Sequence, residues 1–148
     1  MNLLNVATIL CIGLLIGVEL AVSAFVNPVL WKLDFAAQAQ AIRLFARRFG
    51  MAMPVWYTAG LLLLLSETIT HRHESLVVQF GVATAIWGAV IALSLLSLVP
   101  INNRMARMDA DGLTQNAQRE HRKWDALHRV RVGVLAVSMI FILAGIGI

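Results

Sequence analysis

Residues 3–30 read LLNVATILCIGLLIGVELAVSAFVNPVL, an apolar stretch that contains one charged residue, Glu19. A helix that crosses a hydrocarbon core ~30 Å thick needs about 20 apolar residues, so this stretch is long enough for a transmembrane span. Three further apolar stretches occupy about 49–68, 76–101 and 124–148. The sequence therefore predicts an all-α fold, an integral membrane four-helix bundle that residues 1–148 form as a single domain.

The composition of the chain is typical of a membrane protein. Of its 148 residues, 59% are hydrophobic and 14% are charged, whereas soluble domains carry about 25% charged residues. The net charge is +4, but the basic residues lie beside the apolar stretches, where membrane topology explains them better than nucleic-acid binding does. We therefore predict no nucleic-acid partner. The single cysteine, Cys11, excludes an intramolecular disulfide.

The distribution of basic residues predicts the orientation of the chain. Four Lys or Arg residues lie in the loop 31–48 and seven lie from Arg104 to Arg131, whereas the loop between the second and third spans has only Arg72. Positive charge is retained in the cytoplasm. We therefore expect a bacterial-type inner membrane protein with loops 31–48 and 102–123 cytoplasmic and both termini extracytoplasmic. A cleaved signal peptide is disfavoured, since no basic residue precedes the first apolar stretch and a carboxylate interrupts it.

The polar connections between the spans are predicted to be largely helical. Residues 34–49 place apolar side chains along one helical face, which indicates an amphipathic helix at the cytoplasmic interface. The third span is expected to continue as a helix through residues 102–108 and to stop at the turn signal 109–112. From Leu113 onward nothing breaks a helix, so the fourth span is expected to have a cytoplasmic helical extension as well.

Polar side chains within the spans point to a functional interior, because ionisable groups in a bilayer are costly and usually face the centre of a bundle. The first and fourth spans each carry a polar stripe at helical spacing: Glu19, Ser23 and Asn27 on one, and Trp124, His128 and Arg131 on the other. Glu19 is the only carboxylate expected deep in a span. We therefore expect a buried Glu19–Arg131 ion pair, with His128 sharing a proton or a hydrogen bond.

These groups predict a pocket in the cytoplasmic half of the bundle. Catalytic roles are assigned to Glu19, His128 and Arg131. Substrate-binding roles are assigned to six further residues: Asn27, Asn102, Asn103, Arg104, Trp124 and Trp87. Aromatic walls are expected from Trp31, Trp56 and Tyr57. A structural alternative stays open, in which the ion pair only holds the helices together and tryptophans at the span ends are interface anchors.

The histidines are candidate ligands for a metal ion or a haem. His71 and His73 are interpreted as solvated loop residues, and no metal site is predicted, since only two glutamates lie nearby as further ligands. The cofactor is unknown and none is predicted. Haem bound through His128 or His121 is a minor alternative, because the chain lacks a CxxCH sequence.

The chain resembles the anthrone-oxygenase-like family of small four-span membrane proteins in three places: the first span ending in Asn27-Pro28, the segment Val99-Pro100-Ile101-Asn102-Asn103 closing the third, and the residues Trp124, His128 and Arg131 opening the fourth. The resemblance extends over nearly the whole chain. It implies a four-helix membrane bundle. By analogy with fungal polyketide members, it also implies oxidation of an anthrone to an anthraquinone without an obvious cofactor.

Such a reaction needs a base, a cation or donor for the enolate oxygen, and an apolar slot. His128 or Glu19 would be the base, and Arg131 and Asn103 would hold the oxygen. The sequence therefore favours a cofactor-independent oxygenase or oxidoreductase acting on an apolar aromatic or quinone-like molecule.

Two other functions remain open, so the sequence alone leaves undecided whether the protein is an enzyme. One is a non-enzymatic binder or transporter of a lipid-like metabolite, and the other is a structural partner of a membrane complex. The expected partners are membrane lipids and an apolar small molecule. Gly13 and Gly17 offer a small-residue face that would suit a homodimer.

Overall fold

The computed structural model describes residues 2–107 and 115–147, with the side chains of 115–117 excepted, and every regular element in this part of the chain is a helix. In chain order these are α1 (Leu3–Ala21), a π-helical segment (Val22–Val26), α2 (Asn27–Leu30), α3 (Phe35–Thr70), α4 (Val77–Leu93), a second π-helical segment (Ser94–Leu98), α5 (Val99–Ala106) and α6 (Gln115–Ile146). The all-α prediction is confirmed. The turn predicted at 109–112 and the helix start predicted at Leu113 lie outside the described residues.

Four helical stretches are long and apolar enough to cross a membrane: Leu3–Leu30, Phe35–Thr70, Val77–Ala106 and Gln118–Ile146. They correspond to the four predicted spans. The first has the predicted bounds, and the second, third and fourth extend further into the polar segments. Large apolar side chains point outward from these helices, including Leu96 at 77% and Phe25 at 70% exposure. Because soluble monomers rarely expose extended apolar surface, this surface is the one that faces lipid.

The segment predicted as an interfacial helix is the beginning of a longer helix. Asp34 caps α3 by accepting the backbone N–H groups of Ala36 and Ala37 at 3.1 and 3.0 Å. From there α3 continues without a break to Thr70. Residues 34–49 are thus helical, as predicted, but they do not form a separate helix, since α3 continues through both Gly50 and Pro54. At 1.5 Å per residue, α3 is about 54 Å long, which exceeds the ~30 Å hydrocarbon core.

The first and third spans share an irregularity just before a proline. Pro28 and Pro100 have no backbone N–H to donate, and in each span the preceding residue closes a π turn: Asn27 N–H donates to the Val22 carbonyl, and Val99 N–H donates to the Ser94 carbonyl. Single π turns inside α-helices are rare and occur frequently at functional sites. Both segments contact α6, so the fourth span meets the other two at their irregular turns.

The core lies between these four helices and contains a large, fully buried aromatic side chain. Trp87 of α4 is fully buried and donates its indole N–H to the backbone carbonyl of Tyr57 at 3.0 Å. A Cβ atom on Gly60 would lie only 2.7 Å from the Trp87 ring. A side chain at position 60 would therefore displace Trp87, and the glycine permits the close approach of α3 and α4. The remaining core is aliphatic and includes Ile12, Leu15, Leu64, Leu135 and Ile142.

Candidate functional site

A buried carboxylate, Glu19, is the centre of the polar interior. It is 2% exposed and lies one turn before the first π-helical segment. Its Oε2 accepts a hydrogen bond from Arg131 at 2.6 Å, and its Oε1 accepts one from the Tyr57 hydroxyl at 3.0 Å. The predicted Glu19–Arg131 ion pair therefore forms in the structure. A guanidinium that neutralises a carboxylate and also hydrogen-bonds it is the arrangement that makes a buried charge tolerable.

His128 contacts both members of this ion pair. Its Nε2 lies 3.1 Å from the backbone carbonyl oxygen of Glu19. Because a carbonyl oxygen only accepts, we assign the proton of the neutral ring to Nε2. The Nδ1 atom then carries the lone pair and accepts from Arg131 Nη2 at 3.0 Å. The same Nδ1 lies 3.1 Å from Glu19 Oε2, so a protonated ring would instead donate to that carboxylate.

Arg131 connects the fourth span to three other helical segments. Besides Glu19 and His128, it reaches Ser94, the first residue of the second π-helical segment, through Nη1 at 3.4 Å. Its guanidinium carbon lies 5.5 Å from the centre of the Tyr57 ring, within the range of a cation–π interaction. Its Nε–H is buried and has no hydrogen-bond partner within the described part of the chain. This leaves Arg131 with an unused donor.

A pocket of about 300 Å³ lies against this cluster. One end is polar, where Glu19, His128 and Arg131 line it, and the walls are mainly apolar. Several lining residues, such as Pro54 and Leu95, are exposed on the outer surface, so the pocket opens sideways between α3 and the third span. The other lining residues are Val18, Val22, Phe49, Gly50, Met53, Tyr57, Thr58, Ile91, Ser94, Leu98, Val99, Asn102, Asn103 and Trp124. A molecule dissolved in the bilayer could enter through this opening.

Six of the nine residues predicted for the site line this pocket, and three do not. The six are Glu19, His128, Arg131, Asn102, Asn103 and Trp124. Asn27 lies below it and donates its amide N–H to Asp125 at 2.6 Å. Arg104 is exposed and pairs with Glu120 at 2.7 Å. Trp87 lies behind Tyr57, with the two ring centres 5.5 Å apart, so it supports the wall and does not face the pocket.

Comparison with known proteins finds one matching protein family. The profile of a protein family described as anthrone oxygenase matches residues 42–141. This chain belongs to the anthrone oxygenase family. Neither a curated protein nor a solved structure matches it. The resemblance inferred from the sequence motifs is thereby confirmed, and a role of the oxygenase type is the one that this family membership suggests.

The region shared with the anthrone oxygenase family contains most of the cluster but not its central carboxylate. Tyr57, His128 and Arg131 lie within the matched residues 42–141, whereas Glu19 lies in the first span, before the match begins. The structure brings that carboxylate onto the matched residues. The first span is therefore an integral part of the candidate site of this family member.

Two polar residues of the interior were not assigned to the site from the sequence. Tyr57 was expected only as an aromatic wall, yet its hydroxyl binds Glu19. Asp125 was not considered, yet it is 7% exposed and binds both Asn27 and Arg129. The signal for Asp125 was present in the sequence, since it precedes Arg129 by four residues on one helix and thus forms an i,i+4 pair.

The expectation that Glu19 is the only carboxylate deep in a span was wrong. Glu67 of α3 is fully buried. Its Oε1 accepts from Thr8 at 3.0 Å and from Asn5 at 3.2 Å, and His71 lies 3.5 Å from its Oε2. The sequence placed Glu67 one residue before the end of the second span, which was predicted at about residue 68. The helix instead continues to Thr70, and donors from α1 cover the carboxylate.

The loop histidines behave differently from one another. His71 stacks on Phe80, with ring centres 5.2 Å apart, and binds Glu74 at 2.9 Å. His73 is exposed and accepts from Arg72. Within residues 2–107 and 115–147, no three side chains of His, Cys, Asp or Glu converge as metal ligands.

Proposed function

We propose that this protein is an oxygenase that converts an anthrone-like substrate to the corresponding quinone with dioxygen, without a cofactor. The observation that carries the proposal is a buried Glu19–Arg131–His128 cluster at the closed end of an apolar pocket that opens toward lipid. This arrangement supplies a proton acceptor, a cation and an apolar slot together. Those are the three groups that deprotonation of an acidic C–H and stabilisation of its enolate require.

The pocket favours a flat, apolar aromatic substrate taken from the bilayer. Its volume of about 300 Å³ is at the lower end of the range for small-molecule sites, roughly 300–1,000 Å³. Phe49, Met53, Tyr57 and Ile91 provide apolar and aromatic contacts along its walls. A sideways opening between membrane helices suits a molecule that partitions into lipid, because such a molecule never needs to pass through water.

In the proposed first step His128 removes a proton from the methylene carbon between the aromatic rings of the substrate. The electron pair of the broken C–H bond delocalises onto the substrate oxygen, which becomes an enolate. Because Nε2 already carries a proton, Nδ1 is the atom that accepts the new one, and the Arg131 hydrogen bond to Nδ1 breaks as it does so. Glu19 Oε2 lies 3.1 Å from Nδ1, so the carboxylate stabilises the imidazolium charge that forms. We assign Glu19 this electrostatic role and not that of the base, because the Arg131 guanidinium 2.6 Å away neutralises its charge.

Proton uptake also frees a donor for the enolate. While His128 is neutral, one hydrogen of Arg131 Nη2 is directed at Nδ1. Once Nδ1 carries a proton, that hydrogen bond is lost. Arg131 then has this hydrogen and its unpartnered Nε–H available for the substrate oxygen. A preorganised donor of this kind stabilises a developing oxyanion most strongly where water is excluded.

The oxidation itself requires only dioxygen as the second reactant. The enolate carbon gives its electron pair to dioxygen and forms a C–O bond, and the resulting peroxide anion takes the proton back from His128. The hydroperoxide then loses water: its O–O bond breaks, the remaining C–H hydrogen leaves as a proton, and a carbonyl forms. The balance is one methylene and one dioxygen consumed for one carbonyl and one water formed.

The test is to purify the protein in lipid nanodiscs, supply anthrone, and follow oxygen consumption together with quinone formation. We expect one dioxygen consumed per quinone, and a rate roughly 10²–10⁴-fold lower in His128→Gln, the usual contribution of a general base. His73→Gln is the matched control, because His73 is exposed at the opposite end of the protein. Anthrone binding without oxygen consumption would overturn the oxygenase proposal in favour of a non-enzymatic carrier.

The proposed environment is a bacterial-type inner membrane with both termini extracytoplasmic. The 11-to-1 division of the basic residues supports this orientation. Single cysteines in a Cys11→Ser background would test it with a membrane-impermeant maleimide on intact cells. Ser75→Cys, in the short loop, should be labelled, and Gln40→Cys, at the start of α3, should not. The reverse pattern would contradict the orientation.

A further inference from the structure

A second histidine, His121, is buried at the end of the site distant from Glu19. It is 3% exposed. Its ring lies between two tryptophans, with its centre 4.9 Å from that of Trp31 and 6.2 Å from that of Trp124. Neither ring nitrogen has a hydrogen-bond partner within the described part of the chain. Since buried polar groups nearly always have partners, the ring is available to bind a polar group of a ligand.

His121 lines a small pocket of about 40 Å³. This pocket adjoins the larger one, because four residues line both: Val22, Phe49, Asn102 and Trp124. Most of its other lining residues are apolar, such as Leu30 and Ile42. Each of the two asparagines that line it holds its amide with a hydrogen bond to the protein, since Asn27 donates one N–H to Asp125 and Asn102 donates one to the carbonyl of Ala46.

We propose that this small pocket is an extension of the substrate site and that His121 hydrogen-bonds a hydroxyl group on an outer ring of the substrate. This inference rests on the proposed function. His121 is a specificity-determining residue in this account and takes no part in the proton transfer. The new assignment is the residue and the pocket that recognise this hydroxyl, which lie apart from the groups beside the reacting carbon.

The geometry of α6 supports a ligand that reaches from one pocket to the other. His121 precedes His128 by seven residues, which is about 10.5 Å along a helix axis. Between them the Trp124 ring is nearly parallel to both, tilted by 8° to His121 and by 11° to His128. These three rings form an aromatic row beside both pockets. A hydroxyl on an outer ring belongs to the same flat system as the reacting carbon of the central ring, so His128 can contact that carbon while His121 hydrogen-bonds the hydroxyl.

The size and chemistry of the small pocket favour a hydroxyl over other substituents. A volume of about 40 Å³ accommodates a group no larger than one or two water molecules. A neutral imidazole offers one donor and one acceptor, and a hydroxyl can satisfy either. An apolar substituent would leave both nitrogens of His121 without partners, which costs free energy in a buried site.

The experiment measures binding of the product class, which needs no turnover. Dissociation constants of anthraquinone and of 2-hydroxyanthraquinone, whose hydroxyl lies at the end of an outer ring, are determined for the protein in nanodiscs, and for His121→Phe. We expect the wild type to prefer the hydroxylated quinone about tenfold, the effect of one net hydrogen bond, and His121→Phe to lose that preference. His73→Phe is the matched control. His121→Gln, which can still hydrogen-bond, should retain part of the preference even if His121→Phe fails to fold.

Three results would overturn the inference. They are an unchanged preference in His121→Phe, no preference in the wild type, and no binding of either quinone. The second would mean that His121 binds a structural water only. A wild type that prefers the hydroxylated quinone but consumes no oxygen with any anthrone would contradict the proposed function and leave this binding site in place, so the two failures are distinguishable.

Discussion

Glu19 and Glu67 are both buried carboxylates in membrane helices, yet their surroundings differ in two respects. Glu19 is paired with a guanidinium and lies beside a pocket of about 300 Å³. Glu67 is fully buried against Thr8 and Asn5, with His71 nearby, and lines neither this pocket nor its extension. An ionisable residue within a span is by default a functional hypothesis. Glu19 has both a cation and an adjoining cavity and Glu67 lines no such cavity, and for this reason our proposal assigns the reactive role to Glu19.

Removal of the Arg131 cation is expected to have the largest effect on stability and on quinone formation. Arg131→Leu leaves Glu19 buried without a counter-charge, so the free energy of unfolding should fall by about 3–5 kcal/mol. The double variant Glu19→Leu, Arg131→Leu should recover much of this loss, since no unpaired charge remains, but it should form no quinone. Thermal unfolding in detergent and quinone formation provide the two readouts. Recovery of activity in the double variant would mean that the ion pair is structural only.

A smaller effect should follow from removing one hydroxyl at each carboxylate. Tyr57→Phe removes the hydrogen bond to Glu19 and Thr8→Val removes the one to Glu67. Interhelical hydrogen bonds in membranes are worth about 0.6–1.7 kcal/mol, so both variants should lose stability by similar amounts. Only Tyr57→Phe should also slow quinone formation, by about tenfold, because Glu19 would be less well oriented toward His128. Equal activity of the two variants would remove the functional distinction between the two sites.

The smallest effect is expected at the asparagine that was predicted to bind substrate but lies outside the main pocket. Asn27→Ser keeps a polar group beside Asp125, so stability should fall by about 1 kcal/mol, the value of one hydrogen bond. Unsubstituted anthrone has no hydroxyl to enter the small pocket that Asn27 lines, so its Michaelis constant should stay within twofold of the wild-type value. A large increase in that constant, measured from oxygen consumption, would show that Asn27 reaches the substrate after all.

The fold and the centre of the site could be predicted because they follow from strong physical constraints. A run of about 20 apolar residues has few alternatives to a membrane helix, and a guanidinium inside a span requires a counter-charge. Glu19 was the carboxylate best placed to pair with Arg131, so their contact was predictable across more than one hundred residues of sequence. The contribution of His128 followed from its position one turn before Arg131 on the same face.

The misplaced residues face the interior, as predicted, but lie at another depth along the bundle. Asn27 is as buried as Glu19, but it lies about two turns further along the span, where it pairs with Asp125. Trp87 was placed in the pocket with Ile91 and Ser94. It lies about one turn deeper, where Tyr57 comes between it and the cavity. No pattern in a single sequence reveals where along its length a bundle leaves a cavity.

Buried carboxylates near span ends were also difficult to predict. Glu67 was considered only beside the loop histidines, because it lies at the end of the predicted second span. Its burial depends on the neighbouring helix, where Asn5 and Thr8 supply donors. Such partners are set by tertiary packing. The same holds for Tyr57, whose hydroxyl has a partner only because α1 brings Glu19 within 3.0 Å of it.

The central claim is that the carboxylate beside the cation and the pocket is part of the oxygenase site and that the other carboxylate is not. The most direct test measures quinone formation from anthrone by Glu19→Gln and Glu67→Gln, purified side by side in nanodiscs. These are the same chemical change at two buried glutamates. Glu19→Gln should be at least 10²-fold slower than wild type, while Glu67→Gln should stay within twofold. Equal rates in the two variants, whether both are fast or both are slow, would contradict the account.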